Sequence, residues 1–238
     1  PEWAGGPPSA DTDQRYQTIF SPPEFVLALD EILLREGVNL LFDTLFCTPM
    51  TADRTCRAVL VENKSGRRAY TAKCFVDATG DADLAFRAGC DCVESDNWLS
   101  YWLYSTNLAS MEEALRTRRI ERAIHLDEFG ADYTGRGAPE GTRKYRGTDA
   151  SEVTEFVLEG RRLAREKLEG VERGTHSYLS VPGMAQLRTT RRINGRYTLN
   201  GGDVSRTFAD SIGCTGDWRK RGLTYEIPYR CLTTESID

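Results

Sequence analysis

Apolar positions along this chain keep two rhythms, one of three and four residues and one of short continuous runs. Over residues 22–36, Phe25, Val26, Leu29, Ile32 and Leu33 recur at helical spacing. Ser21-Pro22-Pro23-Glu24 reads as a capping box with proline in the first turn, and Gly37 as the stop. Val38 to Phe42 is then a strand-like run, followed by a second β-like piece around Leu45-Phe46-Cys47. Ala58 to Val61 and Ala69 to Lys73 flank the turn residues Asn63-Lys64-Ser65-Gly66, which predicts a hairpin. Phe75-Val76-Asp77-Ala78-Thr79-Gly80-Asp81-Ala82-Asp83 reads as a strand, a small-residue turn and a helix start, with Asp81 as the N-cap of a helix to Ala88 closed by Gly89. Helix, strand, hairpin, strand and helix make an α/β pattern with a small β excursion.

After Gly89 the pattern changes. Residues 95–108 are rich in aromatics, with Trp98, Tyr101, Trp102 and Tyr104. Ser110-Met111-Glu112-Glu113 reads as a second capping box, opening a short helix to about Arg119. Residues 127–147 are polar and glycine-rich, which predicts a long loop. Asp149 and Glu152 open a third helix whose stripe is Val153, Phe156, Val157, Leu163, Ala164 and Leu168, with Gly170 after it. Tyr178 to Val181, Tyr197 to Leu199 and Tyr225 to Arg230 read as extended. No internal repeat is present.

Charge and composition narrow the function classes. The net charge of −5 gives no global attraction to nucleic acid or an anionic membrane. No apolar run approaches the ~20 residues that span a bilayer. The opening Pro1-Glu2-Trp3-Ala4-Gly5-Gly6-Pro7-Pro8 lacks the basic and apolar parts of a signal peptide. There is no initiator Met, and the chain stops at Glu235-Ser236-Ile237-Asp238, so it reads as an internal piece of a longer protein. Its seven cysteines are irregularly spaced and form no zinc or ferredoxin pattern, which points to reduced thiols in a cytoplasmic protein. No metal site is expected.

Few motifs carry chemistry. Gly135-Arg136-Gly137-Ala138-Pro139-Glu140-Gly141 has the wrong spacing for a dinucleotide loop, has no strand before it, and reads as a solvent loop. Phosphate-loop and G-x-S-x-G motifs are absent, and His125 and His176 have no ligand companion four residues on. Leu187-Arg188-Thr189-Thr190-Arg191-Arg192-Ile193 packs three arginines between apolar residues, and each needs an answering anion. That anion is either one of the chain's own acids, such as Asp203 and Asp210, or a negative substrate or reduced cofactor. The turn at 78–81 could be an ordinary strand-to-helix turn, or a place where backbone N–H groups meet a ligand. Asp77, Asp81 and Asp83 are explained by helix-start chemistry rather than by a metal. The aromatic stretch 98–104 is either core or a stacking platform.

Three blocks, taken together, resemble a known family. They are Phe25 to Phe42 feeding the hairpin and Val76-Asp77-Ala78-Thr79-Gly80-Asp81-Ala82-Asp83; Lys144-Tyr145-Arg146-Gly147-Thr148-Asp149-Ala150; and Gln186 to Gly195, continuing through Asp210-Ser211-Ile212-Gly213 and Gly216-Asp217-Trp218 to Tyr225-Glu226-Ile227-Pro228-Tyr229-Arg230. This order resembles the FAD-dependent oxidoreductases of the two-dinucleotide-binding flavoprotein superfamily, and more narrowly those similar to the flavoprotein subunit of heterodisulfide reductase. The resemblance implies an α/β fold: an incomplete FAD/NAD(P)-binding Rossmann-like domain with an inserted α+β substrate or cap domain. After an irregular segment over 1–21, the FAD-binding part would cover 22–95, the cap 96–224, and the return 225–238.

The cofactor implied is FAD. Phe46 and Cys47, with Leu45, would bring backbone to the adenine, and Ala78, Thr79, Gly80 and Asp81 would pack against the ADP half. Arg188 and Arg192 would stand near the flavin as catalytic candidates, stabilising its reduced form. The partners implied are a small polar or anionic organic substrate and an unspecified electron acceptor, with no nucleic acid and no membrane span. The family's strand–G-x-G-x-x-G–helix is not among these residues, so the piece alone is expected to be inactive. The competing expectation is a non-redox module that binds carbohydrate or a protein partner through residues 98–104.

Overall fold

A computed structural model describes residues 21–132, 134–138, 140–216 and 223–237. The irregular segment expected over 1–21 lies outside these residues except for Ser21, as do Pro139, Asp217 and Trp218. The chain divides into two units, one of described residues 21–77, 83–91 and 193–237, the other of 78–82 and 92–192. Helices and strands are mixed in both.

The first unit opens on helix α1 (Pro22–Arg35), which has proline in its first turn. Ser21 makes no side-chain cap bond, so the expected capping box does not form; the fixed φ of proline suffices to start the helix. Gly37, at φ 72°, ends it as expected: its N–H donates to the Leu34 carbonyl and that of Val38 to Leu33. Strands β1 (Leu45–Ala52), β2 (Thr55–Asn63) and β3 (Gly66–Tyr70) form an antiparallel sheet in that order, which contains the expected hairpin. Farther along come a short helix α2 (Asp83–Arg87) and, near the end, the antiparallel pair of residues 211–216 and 224–228.

Two expected strands are absent. Residues 38–42 and 75–76 have no ladder, and Phe42 and Val76 are 73% and 84% exposed. Continuous apolar runs of this kind suit strands buried on both faces, and such a strand exists only when neighbours pair with it. Helix α1 shows the same lack: only Ala28 is buried, while Phe25, Val26, Leu27, Leu29 and Leu34 stay exposed.

The second unit contains strands β4 (Cys92–Glu94), β5 (Ser100–Asn107), β6 (His125–Gly130) and β7 (His176–Tyr178), with β8 (Arg191–Ile193) paired to β4. In the order β6-β5-β7 the three middle strands make an antiparallel sheet. The remaining two strands among the described residues are β9 (Ser211–Gly216) and β10 (Thr224–Pro228), already placed in the first unit. Strand β6 occupies part of the span expected to be loop. Its alternation puts His125, Asp127 and Phe129 on one face, a period of two hidden because only Phe129 of the three is apolar.

Helix α3 (Leu108–Thr117) is capped by Asn107, whose side chain accepts from the Ser110 N–H at 2.9 Å. Ser110 is therefore the third helical residue of the box rather than the expected cap. Helix α4 (Ala150–Glu169) starts where expected, with Asp149 accepting from the N–H groups of Ser151 and Glu152. It packs on β5 and β6. Gly160 allows the approach, because a Cβ there would stand 2.4 Å from the Tyr101 ring. Phe156, fully buried, meets Leu99 and Tyr145, with the Tyr145 ring edge-on at 5.5 Å.

At its far end α4 is tied to the sheet by charge. Lys167 Nζ donates to Asp127 Oδ1 at 2.6 Å, and His176 Nε2 lies 3.8 Å from Oδ2. Burial pushes the Asp127 carboxyl up. The Lys167 hydrogen bond, the Ser105 hydroxyl facing it short of hydrogen-bond geometry, and the nearby cationic charge together outweigh burial and hold it below the usual carboxylate range. A carboxyl lowered by folding stabilises the fold above its unfolded value, about 3.9, and loses that contribution as pH falls through the folded value. Asp127→Asn is therefore expected to cost roughly 1–2 kcal/mol at pH 7, with the difference from wild type shrinking below about pH 4. Urea unfolding at pH 7 and pH 3 measures it; an equal difference at both would contradict the assignment.

Among the described residues no helix is long and apolar enough to cross a membrane, and no cluster of three or more His, Cys, Asp or Glu could hold a metal. All seven cysteines are free thiols.

Candidate active site

The arginine block is held by a side chain from the start of the aromatic stretch. Asn97 is 6% exposed, and its Oδ1 accepts the N–H groups of Arg188 at 2.9 Å and Thr189 at 2.8 Å. Its Nδ2 donates to the carbonyls of Thr189 at 2.9 Å and Tyr145 at 3.3 Å. Backbone bonds between Asn97 and Tyr145, at 2.7 and 2.8 Å, fix the asparagine itself. Ser95 N–H adds a bond to the Thr190 carbonyl at 2.8 Å. Beneath the segment, Gly147 at φ 79° leaves room for Leu187 and Thr190; a Cβ there would stand 2.4 and 2.8 Å from their side chains.

Asp81 reaches the same segment. Its carboxylate meets the Thr190 hydroxyl, and its carbonyl accepts from Arg191 Nε at 3.0 Å. Arg191 is buried, with Glu94 Oε1 3.9 Å from its Nη1. Arg191 is thus answered by the chain's own groups, though not by the acids the sequence suggested. Asp203 takes Tyr197 and Arg206 instead, and Asp210 takes Arg230. Arg188 and Arg192 are exposed.

Asp81 is not the helix cap that the sequence suggests. Helix α2 begins at Asp83, and its Ala85 N–H is taken by Asp77 Oδ2 at 2.9 Å. With Ala82 at φ 53° the chain turns between Asp81 and the helix, so the aspartate four residues earlier serves the first turn. Ala78, Thr79 and Gly80 are exposed, and Gly80 sits at φ 89° with no atom within 4 Å of where a Cβ would be. The result is an exposed turn of small residues.

In the first unit, Phe46 and Cys47 are half-buried on β1. The register slips between Phe46 and Thr48, so Cys47 is the extra residue of a β-bulge. The Cys47 carbonyl accepts from the Arg87 guanidinium, which lies 5.7 Å over the Phe46 ring. Arg87 of α2 therefore joins both residues, a partner that strand periodicity alone does not reveal.

Residues 4–113 match the family model described as FAD dependent oxidoreductase. The matched segment belongs to that family. FAD is its cofactor, and a flavin redox role is the general function it carries. No curated protein and no solved structure matches the chain. Within this FAD dependent oxidoreductase segment lie Phe46, Cys47, the turn 78–81 and Asn97; the arginine block lies beyond it.

The aromatic stretch of this chain is largely interior, with Tyr104 exposed. Leu99, Tyr101 and Leu103 are core, Trp98 lies against Gly135, and the Trp102 backbone is bonded on both sides by the Gln186 side chain at 2.8 Å. The glycine loop holding Gly135 thus packs on an indole at this point, where the sequence suggests a solvent loop.

Proposed function

We propose that the protein to which this chain belongs is a FAD-dependent oxidoreductase that moves a hydride between the flavin and a small polar or anionic organic substrate. The family match supports the redox chemistry. The observation that carries the substrate reading is the arginine block: Arg191 is turned inward to Glu94 and Asp81, while the exposed Arg188 is held by its backbone. Exposed guanidinium groups on a fixed backbone suit bidentate recognition of a carboxylate.

The residues present fit the cofactor. Ala78, Thr79 and Gly80 would face the ADP half, with Asp81 anchoring their turn, and the bulged backbone at Phe46 and Cys47 would face the adenine. Bound FAD supplies the hydride acceptor or donor. Arg188 and Arg192 would orient the substrate and favour negative charge. The uncovered apolar faces of α1 and residues 38–42 and 75–76 support reading 22–95 and 225–238 as parts of a FAD domain that these residues do not complete; 96–224 is proposed as the substrate side, of which residues 193–216 fall in the first unit. By itself the piece would hold FAD poorly.

The test is anaerobic mixing of the flavin-loaded protein with a panel of small hydroxy, amino and carboxylic acids, following the visible flavin band. Bleaching by acids, and not by their amides or esters, is expected. Bleaching by neutral analogues at equal rates would overturn the anionic-substrate reading.

A further inference from the structure

We propose that Asn97 is a positioning residue for anion recognition by Arg188, and that the ligand recognised is a small organic carboxylate. This rests on the reading of Arg188 as a substrate-facing group. Asn97 belongs to none of the motifs above, yet its amide is fully used. Its oxygen takes two consecutive backbone N–H groups and lies 3.4 Å from the Thr189 hydroxyl, and its nitrogen gives both hydrogens to carbonyls. A primary amide offers donor and acceptor side by side, as a neighbouring strand does, so an irregular segment is paired as if in a sheet.

The effect falls on Arg188 in particular. Leu187, before it, packs on the buried cluster of Leu99, Tyr145 and Phe156. Its own N–H and that of Thr189 end on Asn97, and the Thr190 carbonyl ends on Ser95. The Arg188 backbone is thus fixed on both sides while its side chain is exposed. An exposed segment ordinarily loses backbone freedom when a ligand binds; this one has lost it on folding, so the guanidinium meets an anion at lower entropic cost. A planar fork of donors on a fixed stem matches a carboxylate better than a spherical anion.

The experiment titrates the full chain with malonate, following the Arg188 side-chain Nε resonance and the heat of binding, in wild type, Arg188→Met, Asn97→Asp and Asn97→Ser. Thermal unfolding is recorded for each. Arg188→Met is expected to weaken malonate about tenfold or more. Both Asn97 variants should weaken it roughly fivefold with Arg188 intact, a shift in affinity that lost stability alone does not produce in folded protein. Unchanged affinity in Arg188→Met overturns the substrate-facing reading. A loss in Arg188→Met with none in the Asn97 variants overturns the positioning role alone, and absence of malonate binding by wild type overturns the ligand class. Should the Asn97 variants not fold, hydrogen exchange of wild type decides: protected Arg188 and Thr189 amides support the clamp, and exchange at unprotected rates overturns it.

Discussion

Phe156→Ala is expected to destabilise the second unit by about 3–5 kcal/mol, the usual cost of emptying a fully buried aromatic site. Phe156 has no exposed surface, and its ring is the apolar contact between α4 and Tyr145, beside the polar bonds of Glu152 and Glu155 to Arg143, Tyr145 and Arg146. Tyr145 in turn receives the Asn97 amide and shares two backbone bonds with it. The cavity would therefore be felt at the arginine segment as well as in the helix. Equilibrium urea unfolding gives the free energy, and amide exchange at Arg188 and Thr189 gives the local effect. A loss under about 1 kcal/mol would mean that the site collapses easily and that this core is not what holds the segment.

Arg188→Met and Arg192→Met are each expected to lower kcat/KM for an acidic substrate on the order of 100-fold in the flavin-loaded enzyme, the scale of losing one charged donor from a site where negative charge develops. Methionine keeps the stem and removes the charge. Arg191→Met should act differently, because Arg191 is answered by the Asp81 carbonyl and Glu94. Its loss would appear in stability, by about 2 kcal/mol or more, through two groups left without their cation. Steady-state kinetics and thermal unfolding of the three variants separate the roles. Equal kinetic losses from all three would contradict the division.

Local chemistry made parts of this fold readable. The hairpin follows from turn residues between β-type runs, the stop of α1 from Gly37, and the start of α4 from Asp149, since each is decided within a few residues. What failed was non-local. The runs at 38–42 and 75–76 have strand sequences, but a ladder needs partners that no local pattern supplies. Strand β6 was missed because the face it turns to α4 includes His125 and the charge pair of Asp127, not only apolar side chains.

The site was readable to a similar depth. Three arginines between apolar neighbours do announce that an anion must answer, and Glu94 answers one of them. Which acid does so is a matter of pairing β4 with β8 across about a hundred residues. Asp77, and not Asp81, serves the first turn of α2 because the chain turns at Ala82, a backbone feature that an alanine does not advertise. Asn97 gave one faint signal, a polar residue at the head of a run that is otherwise aromatic and apolar.

The most direct measurement is the flavin content of the proposed parent protein, purified without added cofactor and again after incubation with FAD. The account predicts a yellow protein with close to one FAD per chain and a visible band that bleaches on reduction. A colourless protein that takes up no FAD on reconstitution would contradict it.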